Sequence, residues 1–184
     1  AARAVQYVDV LMIAGQYQTK PDRPFIPGGE AAGEVVAVGP NVTEFKVGDQ
    51  VMSRHSPGAF ADYGIGKVEE TALIPPGMSM EQAAAFRSAY TTAYHALVQR
   101  GSLQKGETLL IHGAAGGIGL AAVQVGKILG ATVIGAASTE EKRAAVLANG
   151  ADHVIDYGPI VDGKGSFRDK VKELTGGRGA DVIY

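Results

Sequence analysis

The sequence predicts an α/β protein in two parts: a small, loop-rich β region, then a doubly wound parallel sheet. Three observations carry the prediction. Seven of the eight prolines precede residue 77. From Met80 onward, short apolar runs alternate with stretches of helical period. A glycine cluster at 113–119 stands between one such run and a helix.

Composition narrows the function classes. The chain has 184 residues, 46% of them hydrophobic, and Lys+Arg 17 against Asp+Glu 19 gives a net charge of −2. That apolar content at so low a net charge excludes a disordered chain. There is no basic excess to neutralise a phosphate backbone, so nucleic acid is not the main partner. No apolar run approaches the ~20 residues of a membrane helix. With no cysteine, disulfides, thiolate zinc sites and thiol nucleophiles drop out. No signal-peptide pattern is visible, and a cytoplasmic location is the default expectation. Glycine is the outlier at 26 residues, about twice the usual ~7%.

In the first part, residues 31–39, 49–53 and 60–66 are short β-like runs separated by Gly, Pro, Asn and Asp. Their spacing predicts a small barrel or sandwich, and the prolines belong at turns and sheet edges. Residues 80–99 read as one helix, with Ala83, Ala84, Phe86, Tyr90, Ala93, Tyr94 and Leu97 at three- and four-residue steps. Alternation follows: strand 107–112, helix 117–129, strand 131–137, helix 138–148, strand 153–156, helix 167–174 and strand 181–184. Ser138 and Glu141 form an expected capping box for the fourth of these. Continuously apolar strands between helices imply a parallel sheet covered on both faces. The boundary is placed after residue 79 (domains 1–79 and 80–184), or near Gly101 if the long helix joins the first part. A doubly wound sheet takes about six strands and four are visible, so both parts read as incomplete and the chain as a piece of a longer protein.

The chemistry concentrates at Gly113-Ala114-Ala115-Gly116-Gly117-Ile118-Gly119. A glycine-rich turn that ends a strand and opens a helix lets a pyrophosphate reach the backbone, where unpaired amides and the helix dipole attract it. The plainer alternative is a tight packing turn. A P-loop does not fit, because Gly126-Lys127 has no Ser or Thr after it. The second strand ends Gly135-Ala136-Ala137-Ser138-Thr139, without the acid that usually takes a ribose 2′-hydroxyl. Lys142 and Arg143 follow within one turn. Ser138 and Lys142 would accept a 2′-phosphate that a carboxylate would repel, which favours NADPH. Lys142 and Arg143 also fit a solvated helix face. Asn41-Val42-Thr43 is a glycosylation sequon read as an unused turn. The four histidines lack metal-ligand spacing, and no Gly-x-Ser-x-Gly elbow occurs.

The residues 106–119, with Gln124 and Lys127, resemble the zinc-free, zeta-crystallin-like quinone oxidoreductases of the medium-chain dehydrogenase/reductase superfamily. Tyr7-Val8-Asp9-Val10-Leu11, Gly15-Gln16-Tyr17, Pro27-Gly28-Gly29-Glu30-Ala31-Ala32-Gly33, Thr92-Ala93-Tyr94 and the run 150–157 extend the likeness over almost the whole chain. The resemblance implies a GroES-like catalytic β domain and then a Rossmann domain, both incomplete. It implies hydride transfer from NADPH to a quinone or another α,β-unsaturated carbonyl without zinc. Ala115, Gly116, Gly117, Ile118 and Gly119 would line the pyrophosphate. Ser138, Lys142 and Tyr157 would surround the 2′-phosphate and ribose. Thr92 would lie by the nicotinamide amide, as would Gln6, which stands where the family usually has Asn. Tyr17 would sit by nicotinamide and substrate, and its hydroxyl or a ribose hydroxyl of the cofactor is the candidate donor to the reacting oxygen. The full-length protein would be a homodimer. The other readings are an enoyl-thioester reductase of the same superfamily and a crystallin-like nucleotide binder without turnover. Arg87 stands where relatives often have an apolar residue or proline.

Overall fold

The computed structural model describes residues 2–55, 57–157 and 167–184. The chain forms two compact units, Ala1–Ser88 and Ala89–Tyr184. The division falls between the two boundaries read from the sequence, because the helical stretch from Met80 is shared between two cores.

In the first unit, β1 (Ala2–Ala4), β2 (Glu30–Glu34), β3 (Gln50–Arg54) and β4 (Thr71–Leu73) form an antiparallel sheet in that order. Helix α1 (Tyr7–Ile13) follows β1, and α2 (Met80–Ala84) covers the sheet. Ala32 and Met52 pack there against Ala83 and Ala84. Ser79 caps α2, accepting the Gln82 N–H at 3.2 Å while the Gln82 side chain accepts the Ser79 N–H at 2.9 Å. Residues 60–66, expected as a strand, are not one. A Cβ at Gly66 would come within 2.8 Å of Ser53 Oγ and 2.9 Å of Thr71 Oγ1. The segment instead runs close over β3 and β4, and the Arg3 guanidinium ties it down through the Ala61 carbonyl.

The expected single helix over 80–99 is broken. After α2, Ala85 leaves helical geometry (φ −100°, ψ 1°). Helix α3 (Phe86–Tyr94) then runs into a π-helical stretch, His95–Arg100. The sequence period is continuous, but Ala83 and Ala84 face the first core whereas Ala93 and Leu97 face the second.

In the second unit, β5 (Thr108–Ile111), β6 (Thr132–Ala136), β7 (His153–Ile155) and β8 (Val182–Ile183) form a parallel sheet in the order β7-β6-β5-β8. Alternate residues of a strand face opposite sides. Leu109, Ile111 and Val133 meet the core under α4 (Gly117–Ile128) and α5 (Glu140–Ala148). Leu110, Ile134 and Ile155 meet Val171 of α6 (Phe167–Leu174) on the other side. Burial on both faces is why these strands read as unbroken apolar runs. The cap of α5 is Thr139, whose hydroxyl accepts the Lys142 N–H at 3.2 Å. Ser138, expected in that role, is one residue too early and exposed. Among the described residues, no helix is long and apolar enough to cross a membrane.

Candidate functional site

The glycine turn follows directly from the end of β5. Gly113 adopts φ +59°, a left-handed conformation suited to glycine. The Ala114 N–H then bonds the Ala136 carbonyl at 3.0 Å, tying the turn to β6, and the Gly116 N–H bonds Gly113 at 3.0 Å. Helix α4 opens at Gly117 with no side-chain cap. The first-turn amides of Gly117, Ile118 and Gly119 therefore have no acceptor within the helix. A Cβ at Gly119 would stand 2.5 Å from the Gly113 carbonyl oxygen and 2.8 Å from the Ala114 backbone. Only glycine lets the helix start sit against the turn. A Cβ at Gly117 would meet no atom within 4 Å, so the space above it is open. Ile118 is exposed and Ala115 half-buried. The arrangement can receive an anion on bare amides, with the helix dipole behind them.

Beside this turn, β6 and β7 end side by side, the Ala137 N–H bonding the Ile155 carbonyl at 3.1 Å. Ser138 and Tyr157 follow these tips, and Lys142 lies in the first turn of α5; all three are exposed. Arg143 is engaged differently. Its Nη1 donates to the Ala137 carbonyl and pairs with Asp156 Oδ2, each at 3.1 Å. The strand order reverses between β5 and β8, and such a reversal is where open α/β sheets bind ligands. Thr92 is exposed on α3. Two residues earlier, the Tyr90 hydroxyl donates to Gln124 of α4, which donates to Asn149 after α5 at 2.7 Å.

In the first unit, Tyr17 is half-buried after α1, its N–H bonded to the Leu11 carbonyl at 3.2 Å. Gln6 precedes α1, and its side-chain amide donates to Glu30 Oε2 at 2.9 Å. The Glu30 carboxylate also accepts the Ser88 N–H. Burial raises the Glu30 carboxyl above its ordinary value, against the Ser88 hydrogen bond, the Arg54 and Arg87 charges and the Gln6 amide. Arg87 thereby acquires a role: it is one of two countercharges to a buried acid. Sequence reading missed Glu30, although an acid inside the small apolar run Gly29-Glu30-Ala31-Ala32-Gly33 was the available signal. It also missed Asp156 as a partner for Arg143; no spacing announces that pair. A cavity of about 590 Å³ in this unit, lined by Val36, Val38, Phe45, His55 and Ile65 among others, touches none of the candidate residues.

Residues 1–84 match the family described as "Alcohol dehydrogenase GroES-like domain", and residues 117–184 the one described as "Zinc-binding dehydrogenase". The chain has no cysteine, and among the described residues no three His, Asp or Glu side chains are grouped to hold a metal. The quinone oxidoreductase of Pongo abelii is 37% identical over 183 residues, covering 99% of this chain and 54% of that protein. The Escherichia coli quinone oxidoreductase, solved in complex with NADPH, superposes with a TM-score of 0.87 at 34% identity, over 100% of this chain and 55% of its own. The CurK enoyl reductase gives a TM-score of 0.87 at 29% identity, over 100% and 56%. The chain spans about half the length of the curated relatives it matches.

Proposed function

We propose that the chain is a member of the quinone-oxidoreductase-like group of the medium-chain dehydrogenase/reductase superfamily, a reading supported by the two matching families and the quinone oxidoreductase relatives, and that the protein reduces quinones or other α,β-unsaturated carbonyls with NADPH, without zinc. The observation that carries the reading is the glycine turn. Gly119 is closed to any side chain, Gly117 faces open space, and an exposed cation, Lys142, lies in the first turn of the neighbouring helix.

The amides of Gly117, Ile118 and Gly119, with Ala115 and Gly116 beside them, hold the diphosphate. Lys142 supplies the charge for the 2′-phosphate, with Ser138 and Tyr157 around the ribose. Thr92 and Gln6 serve the nicotinamide side, with the Glu30 contact fixing the Gln6 amide. NADPH, when bound, supplies the hydride. The protein's part is alignment, which removes several kcal/mol of barrier when reacting atoms are held in near-attack geometry. Negative charge that develops on the carbonyl oxygen needs a donor, and the Tyr17 hydroxyl is assigned that role, with solvent completing the protonation.

The test follows NADPH consumption by the full-length protein with a small quinone, and compares NADPH with NADH by fluorescence titration. Lys142→Ala is expected to weaken NADPH roughly tenfold or more, the scale of one charge-assisted phosphate contact, and to leave NADH unaffected. Equal affinity for the two nucleotides, untouched by the substitution, overturns the assignment. The second reading, an enoyl-thioester reductase, is favoured by the likeness to the CurK enzyme. Turnover of an enoyl thioester in preference to quinone would select it.

A further inference from the structure

We infer that Arg143 sets the preference for a 2′-phosphorylated nucleotide by cancelling the charge of Asp156, and not by binding the phosphate. The inference rests on the nucleotide site proposed above and assigns it a further specificity-determining pair.

The tip of β6 carries no acid, which is what admits a 2′-phosphate there. The tip of β7 does carry one. Asp156 directly precedes Tyr157, and the two strand tips are joined by the Ala137–Ile155 hydrogen bond of 3.1 Å. A bare carboxylate at that position would repel a phosphate dianion and would favour an unmodified ribose hydroxyl. Arg143 Nη1 lies 3.1 Å from Asp156 Oδ2. The same nitrogen lies 3.1 Å from the Ala137 carbonyl. The guanidinium is thus fastened to acceptors on two neighbouring strand tips, and its side chain is only 23% exposed. Lys170 Nζ donates to the Asp156 backbone carbonyl at 3.4 Å.

Adjacent residues of α5 therefore divide the work. Lys142 is exposed and makes no side-chain hydrogen bond or ion pair among the described residues, so its charge is available to a ligand. Arg143 is committed, and its charge is spent on a carboxylate of this chain. Lys142 adds one positive charge beside a pair that is itself neutral. If Arg143 is lost, the net charge at the tips falls by one unit. If Asp156 is lost, it rises by one unit.

The measurements are NADPH and NADH titrations of the full-length protein, with thermal unfolding recorded for each variant. Arg143→Gln is expected to weaken NADPH about tenfold and NADH less than about twofold, the scale of one partly screened charge a few ångströms from a phosphate. Asp156→Asn is expected to tighten NADPH about threefold relative to NADH. The double variant should return NADPH to within about threefold of the parent, because both charges have gone. A double variant as weak as Arg143→Gln would mean that Arg143 grips the phosphate directly, and would overturn the inference. If Arg143→Gln fails to fold, the double variant decides: NADPH affinity within about threefold of the parent supports the inference, and a loss of about tenfold refutes it. Lys142→Ala separates the two levels. If it leaves the preference unchanged, the 2′-phosphate site falls and this pair with it. If it shifts the preference while the Arg143 and Asp156 variants do not, only the pair falls.

Discussion

Two glycines of one turn give opposite forecasts, because one faces the protein and the other faces space. Gly119→Ala puts a methyl group 2.5 Å from the Gly113 carbonyl oxygen, and backbone must move. It is expected to cost about 1–3 kcal/mol of stability, as overpacking does, and to lose nucleotide binding. Gly117→Ala meets nothing within 4 Å. It should fold as well as the parent, or better by about 0.5 kcal/mol through the unfolded chain, yet bind NADPH more weakly because the methyl stands where the ligand would lie. Thermal melts with NADPH titrations check both; Gly117→Ala with full affinity would empty the turn of its ligand. The sequence marked these residues as a candidate ligand turn, since the pattern Gly-Ala-Ala-Gly-Gly-Ile-Gly sits between strand and helix. It could not tell the packing glycine from the open one, which depends on how near Gly113 folds back. The cap of α5 shows the same limit. Ser138 and Thr139 are both good caps, and only the end of β6 decides that Thr139 takes the place.

Elements are held in register by polar contacts that the apolar pattern does not display. Lys127 at the end of α4 bonds both oxygens of Asp152 at 2.7 Å, and Asp152 Oδ2 also accepts the Val133 N–H of β6 at 2.7 Å. One carboxylate thus links a helix end, a strand and the turn before β7. Asp152→Asn is expected to destabilise the second unit by about 1–2 kcal/mol, the net value of one charged hydrogen bond with a weak surface ion pair. Chemical denaturation measures it; an unchanged midpoint would remove the linking role. The helical elements also mark where periodicity fails. Residues 80–99 carry one unbroken apolar period, but a period records which residues are buried and not in which core. The break at Ala85 follows from α2 joining the first sheet while Ala93 and Leu97 join the second.

Across the molecule, two carboxylates give the units opposite responses to pH. Burial would by itself raise Asp152, but the Lys127 hydrogen bond, the Val133 N–H and the Lys127 charge lower it below its ordinary value. Its contribution is present above the usual carboxylate range and is lost as pH falls through the lowered value. Glu30 is raised by burial, so its contribution is present below the ordinary value and is lost as pH rises through the raised one. Glu30→Gln is therefore expected to gain stability relative to the parent as pH increases from about 4 toward neutrality. Asp152→Asn should differ from the parent least in acid. Unfolding followed at several pH values, with a probe in each unit, tests the pair; parallel pH profiles for Glu30→Gln and the parent would sink the first.

The sequence by itself determined the α/β class, the parallel sheet and the glycine turn, because strands buried on both faces must be apolar throughout and a helix start packed against the turn before it demands glycine. The tertiary structure alone decided which strands form the first sheet, where the long helix breaks, that Glu30 holds Gln6, and that Arg143 answers to Asp156. Those outcomes depend on contacts between residues far apart in the chain, and local pattern carries no information about distance in space.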